Sequence, residues 1–278
     1  MNNSFEGQID YDFLLKDAYK KALETEEEYG QINMEDFDFY KDVPADLAYV
    51  VEMDKRFEES KAKDTEIESM FRKMAKIFEV IINEQIELSN WLGSSAMTQK
   101  VSKYDDYKNG VDTVVEFDEE EGFSHLALAI DVTSSHELAR KFDRLKKEID
   151  QGVLTKVKYF VSEGLSFKGE KGNIPRVVIG ADRKTIIDLM EKWIDEDKDA
   201  LAEHVVQAIL IEEIITQLEV FASYAQSVGQ EKAADVYKRT LSILMRIKTE
   251  KNLSEDMLYQ AGEDQVFSAI QSNLYNFR

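Results

Sequence analysis

The chain has 278 residues, a 43% hydrophobic share and no cysteine, with 35 basic against 56 acidic side chains for a formal net charge of −21. That length and apolar content suffice for one large domain or two small ones with an ample core, and the lack of cysteine excludes disulfides, thiol catalysis and cysteine-ligated metal centres. The acid excess argues against a broad nucleic-acid-binding face, because polyanions are held mainly through Lys and Arg at their phosphates.

The opening MNNSFEGQIDYDF carries acids among its aromatics instead of a basic start before an apolar run, so secretion is not expected and the cytoplasm is the default compartment. Residues 1–64 mix aromatics with carboxylates, as in Glu35-Asp36-Phe37-Asp38-Phe39-Tyr40, without a sustained helical or strand period. They are expected to form short helices or a partly ordered acidic arm, docked on its own protein or in the basic groove of a partner. From Thr65 to about Asn90, the apolar residues Phe71, Met74, Phe78, Ile81, Ile82 and Leu88 recur at helical spacing and predict one long amphipathic helix, with Gly93 as its stop.

The pattern then changes to alternation in Val111–Phe117 and His125–Thr133, which read as an antiparallel strand pair. Ser134 and Ser135 are expected to cap a helix whose apolar face is Leu138, Phe142, Leu145 and Ile149, ended by Gly152. A third strand is expected at Lys156–Val161 and a fourth at Arg176–Gly180, with a glycine-rich, basic surface loop, Gly164–Gly172, between them. A helix from Arg183 to Trp193 closes the central α/β module, roughly Trp91 to Trp193. Beyond it, Leu201–Gln226 and Glu231–Lys248 predict a helical hairpin around Gly229, and a last helix runs from about Ser254 to Asn276.

The chain divides accordingly into an arm (1–64), an α/β core (65–195) and a helical region (196–278). Residues 1–90 carry 11 basic and 23 acidic groups, residues 91–195 carry 16 and 19, and residues 196–278 carry 8 and 14. The acid load thus lies in the flanks, and a nearly neutral centre can still present a local basic face. The apolar stretch Val205–Ala225 contains Glu212, Glu213 and Glu219, so no membrane span is expected. Glu212 and Glu213 read as the polar edge of that helix, since no Glu-x-x-His partner follows. Ile209, Ile211, Ile214, Ile215, Leu218 and Phe221 offer more apolar surface than one helix face needs, which points to a homo-oligomer interface. His125, His136 and His204 are too scattered for a zinc site, and neither a phosphate-binding P-loop nor a nucleophile elbow is present.

Two carboxylates carry the chemical expectation. Asp112 heads one strand and Asp131 ends its neighbour, and carboxylates at neighbouring strand ends can hold hard divalent cations through oxygen. The run Tyr104-Asp105-Asp106-Tyr107-Lys108-Asn109-Gly110-Val111-Asp112, followed by the strand ending in Asp131-Val132-Thr133 and a helix with Lys141, resembles the PD-(D/E)XK, or restriction-endonuclease-like, nucleases. The resemblance spans about residues 65–193. It implies an α/β (α+β) fold with a central mixed sheet flanked by helices, and Mg²⁺ or Mn²⁺-dependent cleavage of nucleic acid, DNA ahead of RNA. It further implies that Asp112 and Asp131 are metal ligands and that Glu84 or Glu87 on the long helix supplies a third carboxylate. Thr133 stands where the family has lysine, and Lys141, three residues after Leu138, is then the implied replacement. Without a lysine in that role the module is an inactive relative, an interaction scaffold with the acidic arm and the C-terminal helices as docking surfaces.

Overall fold

In the computed structural model the chain is a mixed α/β protein. Residues 3–30, 32–119, 122–131, 136–162 and 164–277 are described, with side chains from Tyr11 onward except those of 127, 129–131, 136 and 137. The main sheet has strand order β1-β2-β3-β6, built from β1 (Ala96–Lys100), β2 (Thr113–Glu119), β3 (Gly122–Asp131) and β6 (Arg176–Gly180). The first three form an antiparallel meander, and β6 lies parallel to β3 with Asp131 paired to Gly180. The crossover to β6 runs through α5 (His136–Gln151) and a separate two-stranded sheet of β4 (Thr155–Ser162) and β5 (Phe167–Ile174). The expected capping serines, Ser134 and Ser135, lie outside the described residues, as does Thr133.

Several elements differ from the sequence expectation, each for a local reason. β1 was not anticipated. It is a short edge strand without alternation, and Glu87 secures it by accepting from the Thr98 amide (2.7 Å) and hydroxyl (2.6 Å). The segment expected at Lys156–Val161 is a strand, but it does not join the main sheet. The Asp105 carboxylate accepts from the amides of Lys158 (2.7 Å) and Tyr159 (3.0 Å), so a side chain satisfies backbone donors that a neighbouring strand would otherwise take. Asp105 itself sits on α4 (Lys103–Asn109), a short helix started by the Ser102 hydroxyl and stopped by Gly110 at φ +63°. The glycine-rich segment read as a loop is largely β5, paired to β4 with register shifts.

The main sheet's other edge is closed in the same way. The Gln217 amide of α8 (Val206–Ser227) accepts from the Val178 N–H (2.9 Å) and donates to the Val178 carbonyl (2.6 Å), while Glu213 accepts from the Gly180 N–H (2.9 Å). Glu213 is therefore not the polar edge of its helix: it is fully buried, and burial raises its pKa well above the carboxylate range. Ile209, Ile211, Ile214, Ile215, Leu218 and Phe221 are likewise buried within the chain, where β6, α9 (Glu231–Lys251), α10 (Glu255–Glu263) and α11 (Gln265–Leu274) pack on α8. An all-round apolar helix is here a buried one, and the apolar surplus that pointed to an oligomer is covered by the chain itself. The expected last helix is two, because Asp264 caps α11 by accepting from the amides of Val266 and Phe267.

The expected long helix is α3 (Glu66–Leu88), opened by a capping box between Thr65 and Glu68. The arm is more regular than expected, with α1 (Asn3–Tyr29) and α2 (Val43–Lys61). Leu15, Ala18 and Ala22 of α1 are buried in the same apolar cluster as α3, the sheet and the C-terminal helices. The aromatic run docks on its own chain: Phe37 is fully buried edge-on to Tyr159, and Lys158 reaches Asp42 and Asp46 within a ring of Tyr40, Tyr104 and Tyr159. Among the described residues no helix is long and apolar enough to cross a membrane.

Candidate functional site

The geometry of the site begins at the turn between α4 and β2. Gly110 adopts a left-handed conformation in which a Cβ would meet Arg144 Nη1 at 2.8 Å. The guanidinium of Arg176, 3% exposed, donates to the carbonyls of Asn109 (2.5 Å) and Gly110 (3.0 Å) and to Glu148 (2.8 Å). Arg144 donates to the Lys108 carbonyl (2.8 Å). Two arginines thus hold the C-terminal end of α4, where cations are favoured by the helix dipole and by unpaired carbonyls. Beyond the turn, the Asp112 amide donates to the Leu128 carbonyl (3.0 Å) and leads into β2. Asp106, one helical turn before the break, and Asp112, just after it, are fixed to the same corner.

That corner opens on a cavity of about 340 Å³ whose walls include Glu79, Asp106, Asp112, Lys76, Asn83 and Lys100. Glu79 comes from the middle of α3 and completes a group of three carboxylates on three elements. All three are half-buried and line the cavity with the surface they keep. Burial first, and then the charges of Asp112 and Glu79, push Asp106 up to about 8 against the opposing pull of Lys76 and Lys141. Burial likewise pushes Glu79 up to about 7, with Lys76 opposing and Asp112 and Glu26 adding to the rise. Asn83 Oδ1 is buried and accepts no hydrogen bond among the described residues.

The roof of the cavity is the C-terminal end of α1. Glu26 pairs with Lys76 (2.5 Å), and Lys100 donates to the Gly30 carbonyl (2.5 Å), so Glu26, Tyr29 and Gly30 close one side.

The expected site residues fare unequally. Asp112 lines the cavity. Lys141, on α5, is half-buried and close enough to Asp106 for its charge to act there. Asp131 ends β3 as expected, but its side chain lies outside the described residues. Glu84 is not the third carboxylate. It accepts from the Trp193 indole N–H (2.5 Å), because five residues from Glu79 at about 100° each turn it to another side of α3. Glu87 lines the cavity but is engaged by Thr98. Glu79 and Asp106 were missed. The available signal was a lone carboxylate between Phe78 and Val80 in an otherwise apolar run, and a second acid six residues before Asp112.

Among the described residues no group of three or more His, Cys, Asp or Glu side chains is placed so that it could hold a metal ion. The carboxylates instead stand open around the cavity. Their donor chemistry suits a hard divalent cation, since every candidate donor on them is oxygen. His125, bonded to Glu116 (2.9 Å), and His204, bonded to Asp188 (3.1 Å), are occupied elsewhere. Compared with known families, curated proteins and solved structures, the chain has no match.

Proposed function

We propose that the chain is a divalent-cation-dependent phosphodiesterase acting on nucleic acid, a divergent member of the PD-(D/E)XK type. The observation that carries this reading is the meeting of Glu79, Asp106 and Asp112 on one cavity, at the head of a central strand, where burial raises the pKa of Glu79 and Asp106. The order of elements adds support. A helix leads into an antiparallel meander, a second helix crosses over, and the last strand joins parallel to the third, in line with the expected mixed sheet.

In this reading Glu79, Asp106 and Asp112 would hold Mg²⁺ or Mn²⁺, with Asp131, at the end of β3, as the further ligand that the resemblance implies. The cation would supply Lewis-acid stabilisation of the negative charge on a phosphate under attack. Lys141 and Lys76 offset charge beside the carboxylates and orient the phosphate. Arg176 and Arg144 act as positioning residues through the α4–β2 turn.

Calorimetry with Mg²⁺ and Mn²⁺, and cleavage of supercoiled plasmid, single-stranded DNA and RNA, test the reading in the wild type, Glu79→Gln and Asp112→Asn. Metal binding and cleavage that both variants lose is the expected result. A folded wild type that binds neither metal and cleaves none of the substrates would overturn it. The net charge of −21 and Thr133 at the motif lysine position favour the second reading, an inactive nuclease-type scaffold, and that result would move the choice toward it.

A further inference from the structure

The roofed cavity sets a limit on what can reach the carboxylates. Its volume of about 340 Å³ lies at the small-molecule end of binding sites, roughly 300–1,000 Å³. A double helix, by contrast, is read on a surface of about 600 Å² or more even by the smallest modules. The roof is also firmly held. Ala18 and Ala22 of α1 are fully buried, Lys21 donates to the Trp193 carbonyl (2.7 Å) and lies over its ring, and Lys76 and Lys100 bind Glu26 and Gly30 directly. Lifting α1 to admit a duplex would break all of these contacts.

Charge gives an independent limit. Duplex binding rests on many phosphate contacts spread over a basic face. At this cavity the lysines are Lys76, Lys100 and Lys103, and two of them are already matched by acids, Lys76 by Glu26 and Glu79 and Lys103 by Asp54. Single strands are held differently, by a few phosphate contacts together with aromatic rings on which bases stack. The cavity offers such rings. Tyr29, 58% exposed, stands at its lip with Lys100 beside its face (5.1 Å), and half-buried Tyr107 lies on the wall. The unmatched acceptor of Asn83 asks for an N–H or O–H donor, which a phosphate diester lacks and a nucleobase amine or sugar hydroxyl provides.

We infer, resting on the phosphodiesterase reading, that the substrate is single-stranded nucleic acid. One unpaired nucleotide at a time enters beneath α1, with its backbone toward Lys100 and the carboxylates and its base against Tyr29, and duplex is excluded by the roof. Breakage of the P–O bond by water then takes place on a strand that is already unpaired, and the products are a phosphate-ended and a hydroxyl-ended fragment.

The test uses the full chain with Mn²⁺ and one fluorescent mixed-sequence oligonucleotide, single-stranded or annealed to its complement, and reads both anisotropy and cleavage rate. Preference for the single strand by about ten-fold or more in both is expected. Tyr29→Ala should weaken single-strand binding about ten-fold while metal affinity is unchanged, and Tyr29→Phe should restore it. Equal or better use of duplex, or indifference to Tyr29→Ala, would overturn the inference. Calorimetry with Mn²⁺ on the same samples separates the two levels. Metal bound without strand preference overturns this inference alone, whereas no metal bound and no strand cut overturns the phosphodiesterase reading beneath it.

Discussion

Asp106→Asn tests the charge balance of the cavity without any substrate. In the folded protein this carboxyl is pushed up to about 8 from an ordinary 3.8, so near neutral pH it takes up a proton on folding. A folded pKa above the unfolded one means that stability is greatest below about pH 4 and falls as pH rises toward 8. At pH 7 the gap of roughly three units corresponds to about 4 kcal/mol, and because Glu79 and Asp112 share the same field, roughly half of that is assigned to Asp106 alone. The isosteric amide removes this penalty. In chelator, Asp106→Asn should therefore unfold at higher urea than the wild type at about pH 8, by about 2 kcal/mol, and the two should converge near pH 4. Saturating Mn²⁺ should reverse the order, since a ligand at a hundred times its Kd adds about 2.7 kcal/mol to the protein that binds it. A variant that is less stable than the wild type in chelator, with a gap that does not change with pH, would refute the reasoning: Asp106 would then already be compensated.

Other residues make separate claims. Arg176→Met removes the buried guanidinium from two carbonyls and Glu148, and should cost about 3 kcal/mol in urea unfolding while also weakening Mn²⁺ binding, since it anchors the turn before Asp112. A loss in stability with metal affinity intact would remove its positioning role. Lys158→Met leaves the buried carboxylate of Asp46 without its cation and empties the ring of three tyrosines, at a cost of about 3 kcal/mol, and should open the α1–α2 connection to limited proteolysis. An unchanged digestion pattern would mean that the arm is held mainly by Phe37. His204 is held below the usual imidazole range by burial, against the pull of Asp188. A depressed folded pKa places its contribution above about pH 6.5 and removes it as pH falls, so His204→Gln should flatten the acid side of the stability profile. An identical slope in both proteins would contradict this.

The parts of the fold legible in the sequence are those that carry their own periodicity. α3, α5 and α6 (Arg183–Ile194) and the β2–β3 pair announce themselves through apolar spacing, and Gly229 marks the α8–α9 turn. The parts that were not legible are held from outside. α4 is too short to show a period: its face is two tyrosines, Tyr104 and Tyr107, packed against α2 and Tyr159, and it is fixed further by Asp105 reaching β4 and by arginines from α5 and β6. α1 buries alanines, which weigh little in a hydrophobic pattern yet allow close approach to α3. The site divides along the same line. Asp112 was legible because a glycine and then an alternating strand follow the turn. Glu79 was not, because Ile77, Phe78, Val80, Ile81 and Ile82 bury nearly the whole circumference of α3 at that level, so spacing alone cannot say which flanking acid faces the sheet.

The same geometry bears on the choice between an enzyme and a scaffold. Elsewhere in the molecule buried carboxylates have structural partners: Asp105 closes the β4 edge, Glu213 the β6 edge, Asp264 the start of α11, and Asp46 the Lys158 ammonium. Each satisfies a donor that would otherwise go without. Glu79 and Asp106 share one feature: burial first, and then neighbouring acids with Asp112 among them, raise both pKa values, even though Lys76 pairs with Glu79. Buried acids with raised pKa values would gain from a bound cation, and the proposed phosphodiesterase would use that gain. A net charge of −21 draws divalent cations toward the protein and repels nucleic acid from most of its surface, so in the proposed reading contact with a strand falls to Lys100 and the tyrosines at the cavity.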